Sequence, residues 1–535
     1  MTTTAFKRFF LPLMLSAVVI AGCKQKPEIA GKLSEHYQNK TYEDFDTAAY
    51  HAEFKKQFAA LKPQLRHADV IEKYYTSEDY EPHFVDQSLT NGQIATLVSY
   101  LSRAGEHGLD TAMFHPGQIM SLLNQIHANK FTNINQVYPI FAKLEILTAN
   151  NFLNYSAVIH FGVVNPHNLY RRYDMIPKRP DSAFFQSIFN APDMGVFLHD
   201  IQPIDPAYLA LKKALAAINT NYVDSDKLNR MRIIKLNMER LRWQNPEKES
   251  KYIFVNIPAF KLQWIDNGKS VLEMKVCVGE PKGPNYDQQL THYLQTHKLD
   301  DKPFNHETTI LSSKITTIQL NPTWSIPSSI AQSETYFNIQ KNPDYLSDNN
   351  IRVYSKRTDR EVDPDTINWA RIPRDKMPFR FQQDASDQNA LGKFKFIFDN
   401  EAGIYLHDTN NKAGFLKPWR AISHGCVRVQ DPLLLAQQLI GDTTRMDGIR
   451  MEVGLAPRDT LNKARYGRIQ QARLAPGFQL KSKFIDVPNK GVQVFIDYYT
   501  CWPDDKGELQ FYYDAYHMDD ILDKAMGKYL ARSAR

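Results

Sequence analysis

The chain has 535 residues, of which 43% are hydrophobic and 23% charged, and its formal net charge is +6. That length exceeds what one core supports and points to roughly two to four domains. The composition is that of a folded globular protein and excludes a disordered or collagen-like chain. The small positive excess, with no dense basic arm, excludes a nucleic-acid partner and leaves room for an anionic polymer.

Lys7 and Arg8 precede an apolar run from Phe9 to Ala21. Its 13 residues fall short of a bilayer span, which needs about 20, so residues 1–23 read as a signal peptide. The run ends Ile20-Ala21-Gly22-Cys23. Small residues before a cysteine resemble the cleavage site of a bacterial lipoprotein, with Cys23 as the lipidated first residue. An ordinary signal with a chance cysteine is the alternative. Lys24 follows, not the aspartate that favours inner-membrane retention, so the expected anchor is in the outer membrane, facing the periplasm. Residues 24–41 are polar and aperiodic and read as a tether. Cys277 and Cys501 sit in strand-like runs and are expected as buried free thiols rather than a bridge, since nothing places their strands side by side.

Helical signals dominate residues 42–245, expected as one helical domain. Ile94, Leu97, Val98 and Leu101 share one helix face. Gly108 is a turn signal, Pro139 opens a helix, and two more are expected from Pro206 through Leu215 and from Lys227 to Trp243. The pattern then changes to strands, in Tyr252–Pro258, Met274–Val278, Ile315–Leu320, Lys393–Phe398 and Gly403–His407, with a hairpin turn at Asp266-Asn267-Gly268-Lys269. Phe394, Phe396 and Phe398 alternate into one apolar face. Asp431, Pro432 and Gly441 mark the cap, first residue and end of a helix. Residues 328–388 are polar and rich in Pro, Asn and Asp and read as an insertion of loops and short helices able to form a cap. Residues 465–535 are expected as an extension packing on the catalytic domain, with a strand over Val494–Thr500, a turn at Asp504–Gly507 and a last helix from Met518.

The chemistry concentrates in Ser423-His424-Gly425-Cys426-Val427-Arg428-Val429. Read as extended, this run puts His424, Cys426 and Arg428 on one face and the two valines on the other. His407 lies 19 positions before Cys426 (426 − 407), a spacing that allows adjacent strands. A thiol has a pKa of about 8.5 and needs a base to act as a nucleophile. His407 is the expected base, and the N–H groups of Gly425 and Cys426 are the expected oxyanion donors. A buried inert cysteine is the bland reading. Zinc on His407, Asp408, His424 and Cys426 is the sharper rival, but no Cys-x-x-Cys or His-x-x-x-His spacing supports it, so no metal and no cofactor are expected.

His407, 15 intervening residues and then Ser423-His424-Gly425-Cys426 resemble the signature of the L,D-transpeptidases, whose catalytic domain is called YkuD-type. Asn321-Pro322-Thr323-Trp324-Ser325-Ile326-Pro327, Asn389-Ala390-Leu391-Gly392, Lys395-Phe396 and Tyr405-Leu406-His407-Asp408-Thr409 are similar to the large multidomain, YcbB-like branch. So are His107-Gly108-Leu109-Asp110 and Glu239-Arg240-Leu241-Arg242-Trp243. The resemblance implies an α+β multidomain chain, with a helical scaffold domain and a β-rich catalytic domain over 250–464 that carries a capping insertion. It further implies that Cys426 attacks the third-residue diaminopimelate carbonyl of a peptidoglycan tetrapeptide, releases D-Ala and forms 3→3 crosslinks. Tyr405, His424 and Ser423 would line the site. Arg428 would meet a substrate carboxylate or be an ordinary strand residue, and Trp324 would wall the groove or be core. The expected partners are peptidoglycan stem peptides, with envelope lipoproteins as a variant. Hydrolysis by an L,D-carboxypeptidase, attachment or release of a lipoprotein, and a non-catalytic wall-binding role are the alternatives. No Asp-Gly-x-x-Gly-type repeat marking a peptidoglycan-binding module occurs between Asp205 and Trp243.

Overall fold

The computed structural model describes residues 26–218 and 224–530, so the expected signal peptide and the lipidation expected at Cys23 lie outside the described residues. Among the described residues no helix is long and apolar enough to cross a membrane. The chain divides into two compact units.

In its described residues the first unit comprises 26–101, Phe114–Asn154 and Ile188–Phe197, and it is helical. Ile94, Leu97, Val98 and Leu101 are all buried on the helix Gln93–Ser102, as their spacing predicts. Its buried charge is fully employed. Glu145 is 0% exposed and accepts the N–H groups of His83, Phe84 and Val85 at 2.9, 2.8 and 2.7 Å and the Tyr75 hydroxyl, which offsets its lost hydration. Residues 26–41 differ from the tether expected over 24–41. They contain the helix Glu28–Tyr37, with Ile29, Ala30 and Leu33 buried. Three apolar side chains within two turns suffice once a neighbouring helical surface covers them, a signal too short to separate from a polar linker.

The second unit holds the strands β1 (Lys251–Asn256), β2 (Lys261–Asp266), β3 (Lys269–Gly279), β4 (Leu311–Leu320), β5 (Trp324–Ile326), β6 (Ile351–Ser355), β7 (Glu361–Val362) and β8 (Phe379–Gln383). Beyond them come β9 (Phe394–Phe398), β10 (Leu406–His407), β11 (Ala421–Ser423), β12 (Val427–Val429), β13 (Lys483–Asp486), β14 (Val492–Asp497), β15 (Cys501–Pro503) and β16 (Leu509–Phe511). The main sheet runs β11-β3-β12-β10-β9-β4-β14-β1-β2, with β13 on β4. The first half of β3 pairs with β2 and its second half with β12 and β11, so the path returns on itself. The β2–β3 turn has Asn267 and Gly268 at φ 48° and 77°, the geometry that Asn-Gly favours. Phe394, Phe396, Phe398, Leu406, Val427 and Val429 are buried in one core with Val276, Val278 and Ile318.

Two regions differ from expectation. The insertion expected over 328–388 as loops and short helices is a folded subdomain. Strands β5 to β8 form their own sheet, ordered β5-β8-β6-β7, over a small core that includes Ile330, Ile339, Val353 and Phe381. Its strands are two to five residues long, too short for alternation to stand out. The C-terminal residues, in turn, supply strands to the main sheet itself. β14 lies between β4 and β1, antiparallel to the first and parallel to the second. The helix Met518–Met526 is tied to the helix Ser225–Arg242 by the buried pair Arg240–Asp519 at 2.6 Å. Cys277 and Cys501 are buried free thiols.

Candidate active site

Three neighbouring strands assemble the site. Leu406 pairs with Phe396 of β9 and Val427 of β12, all on the core side. Because side chains alternate, His407 lies on the other face, in register with Lys395 on one side and Arg428 on the other. A cation, an imidazole and a second cation thus form a row across strands spaced about 4.8 Å apart. Tyr405 and Cys426 precede His407 and Arg428 by two residues and extend that face.

The run from Ser423 to Val429 is not one extended segment, as its alternation suggested. β11 pairs parallel to β3 and β12 antiparallel to it, so the chain must reverse between them. The reversal falls at His424-Gly425-Cys426, where Gly425 adopts φ 117°, a conformation that favours a residue without Cβ. Ser423 staples this turn. Its hydroxyl donates to the Cys426 carbonyl at 2.6 Å and accepts the Gly425 N–H at 3.2 Å. The Gly425 N–H, expected as an oxyanion donor, is therefore engaged within the turn, and Ser423 itself is buried.

Cys426 is partly exposed, with Sγ 3.8 Å from the Gly403 carbonyl. Burial among protein atoms pushes its thiol up, while hydrogen bonding by the Tyr405 backbone and side chain and the charges of Lys395 and Arg428 pull against that rise. The Lys395 ammonium lies 4.0 Å over the Tyr405 ring, and the His407 ring meets Tyr405 edge-on at 5.5 Å. Burial pushes the Tyr405 phenol well up, and the neighbouring thiol adds to the effect. His407 is 5% exposed, and its buried Nδ1 makes no hydrogen bond. Burial first, then the charge of Arg428 and, more weakly, those of Lys395 and Lys412, push its pKa down to about 3 against an opposing backbone effect at Asp408, so the imidazole is neutral at neutral pH.

The other candidates have separate partners. His424 is bonded through Nε2 to Glu334 of the cap, and its ring lies 4.6 Å from His306. The hydrogen bond to His424 holds the Glu334 carboxyl below its ordinary range, against the opposing effect of burial. Trp324, on β5, is partly buried against the cap core and acts on the Tyr405 phenol in the direction opposite to the dominant effect of burial. Asp408 accepts the N–H groups of Lys393 and Thr409 at 2.8 and 2.7 Å and pairs with Lys412. Among the described residues no three His, Cys, Asp or Glu side chains group as metal ligands. The structure thus gathers Cys426, Tyr405, His407 and Arg428 and adds Lys395, whose place opposite His407 the sequence could not reveal. It also adds Glu334, which reaches the site from the cap.

A free cysteine at a strand-linking glycine turn, beside a strand carrying a buried neutral histidine, is an arrangement suited to acyl transfer. The chain carries a YkuD L,D-transpeptidase catalytic domain, matched over residues 250–447, together with a scaffold domain matched over residues 69–215. It is similar to a Haemophilus influenzae protein named "Putative L,D-transpeptidase", at 25% identity over 381 residues that cover 70% of this chain and 68% of that protein. Strands β13 and β14 lie beyond the matched catalytic region.

Proposed function

We propose that this protein is a periplasm-facing peptidoglycan L,D-transpeptidase, with Cys426 as nucleophile and His407 as base. The observation that carries the reading is the unpartnered Nδ1 of a buried, neutral His407 on the strand beside the Cys426 turn. A neutral imidazole with a free lone pair can take the thiol proton. The Sγ–carbon bond then forms at the diaminopimelate carbonyl of a tetrapeptide stem. Collapse of the tetrahedral intermediate breaks the bond to D-Ala, whose nitrogen takes the proton from His407. An acceptor amine attacks the thioester, loses a proton and frees the thiol, leaving a 3→3 crosslink.

The row of cations gives this chemistry a substrate-dependent element. Arg428 contributes the largest charge opposing protonation of His407. Its Nε is buried and unpartnered, and its guanidinium fork suits a carboxylate. A donor carboxylate seated on Arg428 offsets that charge and raises the basicity of His407 at the moment it is needed. A lipid anchor at Cys23 would hold the site near the outer membrane.

Incubation with a disaccharide-tetrapeptide tests the proposal by product masses. Crosslinked dimers with loss of D-Ala are expected. Tripeptide alone means hydrolysis, and neither product, together with no carbapenem adduct on Cys426, contradicts the enzymatic reading.

A further inference from the structure

The contacts that hold the Gly425 carbonyl come from outside the motif. Thr308 is 0% exposed. Its hydroxyl donates to the Gly425 carbonyl at 2.7 Å and accepts the Gly279 N–H at 2.8 Å. The Thr308 N–H donates to the Tyr516 hydroxyl at 3.1 Å, and that hydroxyl donates to the Gly279 carbonyl at 2.7 Å. The approach is so close that a Cβ on Gly279 would lie 1.8 Å from the His306 carbonyl oxygen. Tyr516 is fixed in turn. Its N–H donates to the Tyr498 hydroxyl at 2.8 Å, and that hydroxyl donates to Asp514 at 2.6 Å. Tyr498, Asp514 and Tyr516 all lie beyond residue 447, where the matched catalytic region ends.

Peptide planarity gives these bonds a consequence. The Gly425 C=O and the Cys426 N–H belong to one trans peptide unit and point in opposite directions. Whatever fixes the carbonyl therefore fixes the direction of the N–H. Gly425, at φ 117°, has the freedom to let this unit rotate if nothing anchors it. With the Gly425 N–H taken by Ser423, the Cys426 N–H is the donor that the glycine turn itself has left to offer beside the sulfur.

We propose that Thr308, backed by Tyr516 of the C-terminal segment, is a positioning pair that aims the Cys426 N–H at the oxyanion formed during acyl transfer. The proposal rests on the nucleophilic role given to Cys426 above. It makes the C-terminal residues a working part of the site, and the hydrogen bonds of Thr308 the means by which they act.

The test compares two reactions of Cys426 in the full chain. Acylation by p-nitrophenyl acetate passes through a tetrahedral oxyanion, whereas alkylation by iodoacetamide does not. Thr308→Val keeps the shape and loses the hydroxyl. It is expected to slow acylation about 100-fold, the effect of one oxyanion donor, while alkylation stays within about threefold of wild type. Thr308→Ser restores most of the acylation rate, and Tyr516→Phe loses about tenfold, again in acylation alone. Unchanged acylation in Thr308→Val, or acylation and alkylation falling together, overturns the proposal. Should Thr308→Val not fold, Tyr516→Phe and Thr308→Ser carry the test, and equal effects of Tyr516→Phe on both reactions overturn it. Neither reagent is a stem peptide, so a failure here stands apart from a failure of tetrapeptide turnover.

Discussion

Replacing Lys395 with methionine removes a charge from the surroundings of Cys426 and keeps most of the side chain's volume. Its ammonium sits 4.0 Å over the Tyr405 ring, and burial, which pushes the thiol up, is opposed by Tyr405 and by the Lys395 charge. The Lys395 charge is among the influences that pull the thiol down, and a unit charge at the spacing of neighbouring cross-strand side chains, at an effective dielectric of about 20, is worth about 3 kcal/mol. The site is open to water on one side, and halving that figure for screening leaves about one pK unit, or a tenfold change in thiolate at neutral pH. The sign follows from the charge: losing a cation destabilises the thiolate, so the thiol midpoint rises further and the thiolate fraction at pH 7 falls. His407 moves the same way for the opposite reason, since Lys395 is among the charges that hold its pKa down. Iodoacetamide rates measured against pH, with modification at Cys426 separated from Cys277 and Cys501 by peptide mass, report the first shift directly. Lys395→Arg is expected to keep the wild-type midpoint. A Lys395→Met midpoint equal to that of wild type refutes the electrostatic reasoning.

Two further outcomes follow from ion pairs of unlike burial. Arg240→Met leaves Asp519 buried without its partner at a cost of about 3–5 kcal/mol. Thermal unfolding should begin markedly lower, and hydrogen exchange should rise first in the helix Met518–Met526; an unchanged melting curve contradicts this. Glu334→Gln breaks a link whose partners are 46% and 32% exposed, so global stability should move by less than about 1 kcal/mol. Amide exchange over the cap residues 328–341 should nevertheless increase at pH 7. In the wild type the same increase should appear only in acid. A carboxyl held below its ordinary value contributes fully above that value, and the contribution is lost as pH falls through the lowered one. Identical cap exchange in Glu334→Gln and wild type at pH 7 rules the link out.

Much of the fold was legible because local rules and tertiary structure agree in it. Phe394, Phe396 and Phe398 alternate into the core, Asn267-Gly268 makes the hairpin turn, and Asp431 caps the helix Pro432–Ile440 by accepting the Leu434 N–H at 3.0 Å. The adjacency of β10 and β12 was likewise readable from the distance between His407 and Cys426. What escaped depends on partners distant in sequence. Nothing local tells β14 to insert between β4 and β1, or gives Thr308 a different appearance from any other buried threonine. The alternation across Ser423–Val429 misled because one glycine reverses the chain there, and that reversal leaves Ser423 holding the Gly425 N–H. The cap's sheet was hidden by strands as short as Glu361–Val362.

The central claim is that Cys426 carries the acyl group between donor and acceptor. Intact-protein mass measured within the first turnover on a disaccharide-tetrapeptide, with no acceptor added, tests it most directly. The expected species is an adduct equal to the donor minus D-Ala, mapped to Cys426, absent from Cys426→Ala and discharged when an amine acceptor is supplied. Turnover without that adduct, or an adduct that persists in Cys426→Ala, would contradict it.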